Sequence, residues 1–477
     1  MCLVKLLRRG DGVQAAYERS AIAGFLRWLF DLIVRAVRAV YTPAARLAQT
    51  SIIVRLCRGS VFLNFEFLLG AFICAMFVMP HEMWNNAYFV LAAFGFLALY
   101  LILAGCGKRS LLTPDKLGFP FILFAVIVCL SLLFSHARAD SLRIIMFLVA
   151  SFIFTYVIAS DISDDKRLTK LMAFIYAAVI LTSFYAIAQR MFGLVWANEL
   201  YTDLNINGEI PGRVTSTLDN PNNYAEFLVL FMPLCAAFAG SRKSTLPCVL
   251  LFLGLAFPAL ALLMTYSRSG WISLMLAVFV YVWLRNKKLL PVFLVLAVAA
   301  VPFLPTSIMS RIASMFTSFT STGYVDSSFS HRLYLWDAVG HMIQDFGITG
   351  IGLGPKAFSV VYPDYTIMGA NDGAYHTQSL YLELMLSVGF LGFAAFIWMV
   401  LRSIKCSVIA YRSTTGAAHF ALIACISSFI GIAFSSIVEY IWFYPRIMFA
   451  YFILLGIAYA AANMAPQSPE PRPQRRG

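Results

Sequence analysis

The sequence predicts an all-α, polytopic integral membrane protein, and three observations predict it. Hydrophobic residues fill 61% of the 477 positions and charged residues only 12%, a ratio that one water-soluble core cannot hide. Apolar segments long enough to cross about 30 Å of hydrocarbon as helices recur from Val61 to Ala462. Lysine and arginine are dense in every second connection between these segments, the pattern of basic loops retained in the cytoplasm.

In chain order, about twelve spans are predicted, at 61–80, 86–105, 119–135, 142–160, 169–192, 223–240, 247–265, 270–285, 289–305, 377–401, 416–437 and 445–463. Residues 1–60 precede them as a basic amphipathic segment without the apolar core and small-residue cleavage site of a signal peptide. In it, Arg27, Asp31, Arg35 and Arg38 form a polar stripe among Phe25, Trp28, Leu29, Phe30, Ile33 and Val34. That stripe suits either a helix lying in the inner interface or one packing on the cytoplasmic loops. Residues 61–305 hold nine spans and an outer loop at 193–222; residues 306–376 form a large outer loop; residues 377–463 hold the last three spans. Residues 464–477, rich in proline and arginine, read as a disordered cytoplasmic tail. Connections longer than about 15 residues are usually functional or disordered. Within the large loop, Ser330–Gln344 has the apolar spacing of a short helix on the membrane face.

With the N-terminus inside, 27 of the 36 lysines and arginines fall on the cytoplasmic side. An even span count returns the C-terminus there. The net charge of +13 is therefore topological, and a nucleic-acid partner is not expected. The nine cysteines form no CxxC pair and none lies in an outer loop, so neither a disulfide framework nor a thiolate metal site is implied. No internal repeat of a two-halved transporter is evident.

The positive charges left on the outer side are almost all arginines, including Arg138, Arg143, Arg190, Arg213, Arg268, Arg311, Arg332 and Arg446. Guanidinium is planar, permanently charged and matched to phosphate oxygens. The ordinary alternatives are snorkelling to lipid headgroups or pairing with a carboxylate. His376 opens the predicted tenth span, where a neutral imidazole can accept a proton or simply bond locally. Glu383, seven residues on, shares its helix face, and Glu226 stands just inside the helix that Asn220-Pro221-Asn222 starts. No Asp-x-Asp occurs, and Glu199, Asp203 and Glu209 read as loop solubility, so neither a metal nor another cofactor is expected. Gly350, Gly352 and Gly354 do not form a dinucleotide-binding motif; they are expected to let backbone pass close to sugar or membrane.

Several pieces stand in order along the chain: Gly212-Arg213-Val214-Thr215-Ser216-Thr217 with Asn220 to Ala225, Thr265 to Trp271 around Arg268, Arg332 with Trp336, Gly350 to Gly354 followed by Phe358, and His376 to Leu380 closing with Gly389 to Gly392. Together they resemble the bacterial O-antigen ligase and polymerase superfamily. The resemblance implies a membrane glycosyltransferase fold of the C type. It further implies a glycan donor linked to polyprenyl diphosphate at the outer face of a bacterial inner membrane. The acceptor would be the lipid A core or another lipid-linked glycan. On this reading Arg213 and Arg268 hold the diphosphate, Arg332 assists, and His376 activates the acceptor hydroxyl, with Glu226 and Glu383 as possible supports. Metal-independent, inverting transfer follows as an expectation, because no nucleophile for double displacement is evident. A solute or anion transporter and a non-enzymatic scaffold for envelope assembly are the competing readings. The first would need charge near the bilayer midplane, where the sequence offers mainly Glu66 and Glu383.

Overall fold

The computed structural model describes residues 11–48, 64–105, 109, 117–194, 212–300, 306, 308–309, 327–366 and 374–466. Lys108, Lys116, Glu199, Asp203, Glu209, Arg311 and nearly all of the tail fall outside them, as do the start of the first expected span and the end of the ninth. The described elements are all helical. The chain opens with α1 (Asp11–Glu18) and α2 (Ala21–Ala48), followed by α3 (Phe65–Val78), α4 (Ala87–Gly105), α5 (Phe119–Leu130), α6 (Arg138–Asp161) and α7 (Asp165–Met191). Next come α8 (Pro221–Gly240), α9 (Thr245–Gly254), α10 (Ala256–Met264), α11 (Arg268–Asn286) and α12 (Leu290–Ala300). The large loop contributes α13 (Ser327–Phe346) and α14 (Pro355–Val361), and the chain closes with α15 (Leu380–Ala410), α16 (Gly416–Val438) and α17 (Pro445–Asn463).

Among the described residues, eight stretches are long and apolar enough to cross a membrane: α4, α6, α7, α8, α9 with α10, α15, α16 and α17; α3 and α5 are shorter apolar helices. At the centre lie α8, α16 and α17, packed by α6, α11 and α15. Small residues set the closest approaches. Gly431 of α16 lies against the Ser273 carbonyl of α11, Gly456 of α17 lies against α6, and Thr155 Oγ1 donates to the Phe452 carbonyl at 2.9 Å.

The two ends of the bundle differ in charge. At one end Arg109 reaches Glu66 at 2.5 Å and Asp161 at 3.1 Å, and Arg167 reaches Glu66 at 3.2 Å. These pairs tie the start of α3, the end of α6 and the start of α7, and both arginines belong to the set expected in cytoplasmic loops. At the opposite end α8, α11, α15 and α17 begin, and the candidate site residues collect there.

The large loop has a small core of its own. Leu335, Val339 and Met342 of α13 pack with Phe358 and Tyr362 and with Leu386 of α15. The glycines after α13 approach other protein segments closely. Gly350 and Gly352 have φ of +71° and +93°, and a Cβ on them would meet the Ser387 carbonyl and Ser135 respectively; a third, Gly354, abuts Asp140. This close approach repairs a break in α15, where Gly389 has φ 70° and ψ 175°. The carbonyls of Leu386 and Ser387 accept from Ile351 and Gly352 N–H at 2.8 and 3.1 Å, and Phe390 N–H donates to the Gly347 carbonyl at 2.7 Å. A helix interrupted at membrane depth is tolerated where protein satisfies its backbone groups in this way.

Candidate functional site

The site is built on a stitched loop, residues 212–220. Val214 N–H donates to the Met264 carbonyl at 3.2 Å, Thr217 Oγ1 to the Phe77 carbonyl at 2.6 Å, and Ser216 Oγ to the Thr182 carbonyl at 2.6 Å. Three helices therefore fix its course, and Ser216 and Asp219 take left-handed backbone conformations within it. The loop ends in a well-formed helix start: Asn220 Oδ1 caps Asn222 N–H at 2.8 Å and Pro221 occupies the first turn of α8.

Arg213 is held from two sides. Its Nε donates to the Thr265 carbonyl at 2.7 Å and an Nη to Asn222 Oδ1 at 2.6 Å. Thr265 belongs to the turn that leads through Ser267, the N-cap of α11, into Arg268. Gly270 packs against Ala225 and draws the starts of α11 and α8 together. Arg268 thus stands at the same end as Arg213, three residues beyond the carbonyl that Arg213 grips.

Glu439 joins this half of the site to the other. It follows α16, and its carbonyl accepts Leu380 N–H at 3.2 Å, tying the end of α16 to the start of α15. Its Oε1 accepts from Asn222 Nδ2 at 3.2 Å and from Arg332 Nη2 at 3.0 Å. Arg332, on α13, also donates through Nε to Gln378 Oε1 at 2.9 Å. One turn along the same helix, Trp336 Nε1 donates to the Thr377 carbonyl at 2.9 Å. A continuous path therefore runs Arg213, Asn222, Glu439, Arg332, Gln378.

His376 lies beside the end of that path. It sits four residues ahead of α15 and does not form its first turn, because Ser379 is the N-cap and Gln378 is left-handed with φ 52°. Its ring contacts Phe443 at 4.3 Å and Tyr440 at 5.7 Å between centroids. Gln378 N–H donates to Nδ1 at 3.1 Å. A backbone N–H can only donate, so that lone pair is engaged and the proton of the neutral ring sits on Nε2. Burial first, and the Arg332 charge second, push the imidazole down to about 4 from its ordinary 6.5. Glu383 lies beneath, its Oε2 accepting Thr377 N–H at 2.9 Å and its Oε1 the Ser387 hydroxyl at 3.5 Å.

Of the six sequence candidates, Arg213, Arg332, His376 and Glu383 join through these contacts and Arg268 borders them. Glu226 holds no arginine; it is buried, its Oε2 has no partner, and the charge it feels is that of another carboxylate, Glu439. Arg446 does not line the site. It is fully buried and donates to the carbonyls of Met76 and Met79 at 3.0 and 2.7 Å, anchoring α17 on the end of α3. Arg143 pairs with Asp140, away from this path. Sequence reasoning missed Glu439 and the bridging role of Asn222. A signal for the first was present, since Glu439 is the only acidic residue between Gly416 and Asn463.

Fold and site together define an all-helical, polytopic integral membrane protein with a cationic, hydrogen-bonded cluster where several of its spans begin. Residues 251–397 match the family model described as O-antigen ligase, so this stretch of the chain is similar to that family. The match runs from α9 into α15 and includes Arg268, Arg332 and His376; Arg213 and Glu439 lie outside it. No curated protein matches the chain.

Proposed function

We propose that this protein transfers a glycan from a polyprenyl-diphosphate donor to an acceptor hydroxyl, without a metal ion and with inversion at the anomeric carbon. On this reading the chain is a twelve-span, C-type membrane glycosyltransferase of a bacterial inner membrane. Both termini are cytoplasmic and the site opens outward. The single observation that supports it best is the path from Arg213 to Gln378, which gathers guanidinium groups from segments far apart in sequence beside one imidazole. Breaking the bond from the anomeric carbon to diphosphate builds negative charge on phosphate oxygens, and a preorganised donor there contributes about 3–4 kcal/mol. Arg213 and Arg268 hold the diphosphate, Arg332 braces the site, and His376 faces the reacting groups. Direct attack by the acceptor gives inversion.

The test is reconstitution in vesicles with a lipid-linked oligosaccharide. Arg213→Ala and Arg268→Ala are expected to lower transfer by about 10²–10³-fold each at unchanged protein level, and a chelator is expected to leave the wild-type rate unchanged. Full activity in both variants would discard the site. The products separate ligation from polymerisation: one adduct on a lipid A core acceptor marks a ligase, and a ladder of lipid-linked repeats marks a polymerase.

A further inference from the structure

We propose that Glu439, through its Oε2 oxygen, is the catalytic base that takes the proton of the acceptor hydroxyl, with His376 serving as a hydrogen-bond donor; this rests on the transfer reaction proposed above. Glu439 is held by one oxygen only. Both of its donors, Asn222 Nδ2 and Arg332 Nη2, bind Oε1, so the carboxylate is oriented while Oε2 accepts no hydrogen bond from the described residues. The side chain keeps 16% exposure, enough for an acceptor to reach it.

The other candidates are committed or enclosed. His376 has its Nδ1 lone pair on the Gln378 N–H and therefore offers the site Nε2–H, a donor suited to a phosphate or sugar oxygen. Glu383 spends its two oxygens on Thr377 and Ser387. Glu226 is 3% exposed and touches no arginine. Asp219 faces His81 at 3.7 Å, and His81 in turn bonds Tyr444 at 2.8 Å; neither residue contacts Arg213 or Arg332. Among the described residues, Glu439 alone combines an open carboxylate oxygen with direct attachment to the arginine path.

The step balances without another reactant. The acceptor oxygen bonds the anomeric carbon, the carbon–oxygen bond to diphosphate breaks, and its electron pair leaves on the diphosphate. The acceptor proton passes to Oε2 and is later lost to water. The oxygen gains positive charge as its new bond forms, so its proton becomes acidic enough for a carboxylate to receive.

The experiment uses the full-length protein in vesicles with the lipid-linked glycan donor, comparing a hydroxyl acceptor with azide, a nucleophile that has no proton to lose. Glu439→Gln is expected to lose about 10²–10⁴-fold in transfer to the hydroxyl while forming glycosyl azide within a few-fold of wild type. Wild-type hydroxyl transfer by Glu439→Gln overturns the proposal. So does loss of azide transfer in parallel with hydroxyl transfer in a variant that still binds donor lipid, because Glu439 would then only position its neighbours. If Glu439→Gln does not fold, Glu439→Asp takes its place: a selective loss towards the hydroxyl supports the base, and equal losses overturn it. His376→Gln, whose amide retains an N–H, is expected to transfer at least tenfold faster than His376→Ala; equal rates overturn the donor role. If wild type transfers glycan to neither nucleophile, the glycosyltransferase reading itself fails, an outcome distinct from all of these.

Discussion

Arg332→Ala tests whether the two halves of the site are joined by charge. The guanidinium uses separate nitrogens for Glu439 at 3.0 Å and Gln378 at 2.9 Å. At an effective dielectric of about 20, the attraction across 3.0 Å is about 5–6 kcal/mol before desolvation is counted. Truncating one partner of a buried pair costs about 3–5 kcal/mol, because the remaining charge keeps its desolvation penalty. The Arg332 and Glu439 side chains retain 19% and 16% exposure, so the expected loss lies at the lower end, about 3 kcal/mol. Arg332→Lys keeps the charge but has one nitrogen for two acceptors, and should lose about 0.5–1.5 kcal/mol through the Gln378 bond. The assay is a double-mutant cycle on unfolding free energy in detergent, with Arg332→Ala, Glu439→Gln and their combination. A coupling of at least about 1.5 kcal/mol is expected, whereas additivity within about 0.5 kcal/mol would refute the joining role and leave the contact incidental.

Two further predictions concern backbone and protonation. Gly350→Ala places a Cβ on the Ser387 carbonyl at a positive φ and should lower stability by more than about 2 kcal/mol. Gly340→Ala, in open space on α13, should raise it by up to about 1 kcal/mol; thermal midpoints that move together would refute the contrast. For His376 the folded value of about 4 lies below the ordinary 6.5, so on acidification the unfolded chain binds the proton first. Its neutral-state contribution is complete above about pH 7 and is lost as pH falls from 6.5 towards 4. Relative to His376→Gln, the wild-type unfolding midpoint should therefore drop progressively below pH 6.5, and a gap constant from pH 5 to 8 would refute the reading.

Eight of the twelve expected spans correspond to helices of the described residues long and apolar enough to cross a membrane, and these were legible because hydrocarbon thickness sets a length that composition reveals directly. The helix start at Asn220-Pro221 was legible for a local reason, since a cap and a proline determine it within three residues. Arg213, Arg332 and His376 could be named from residue type and order, but their convergence depends on contacts between segments more than a hundred residues apart. The bridge that unites them was hidden in the same way: Asn222 read as part of a turn and helix start, and Glu439 was not singled out at all. The direction of His376 was also beyond the sequence. Its engaged nitrogen depends on the left-handed conformation of Gln378, a residue type that does not announce that geometry. The glycines at 350 and 352 signalled close approach, but what they approach is decided by the break at Gly389, which composition does not reveal.

That break makes α15 two rods meeting at a joint, with residues 347–352 lying across it as a splint bonded to both rods. The splint continues directly from α13, the helix that bears Arg332. Tilting the upper rod, which begins just after His376, therefore drags the α13 platform with it. Arg332 and the segment beside His376 thus form one mechanical unit, pinned to the rest of the bundle through Glu439.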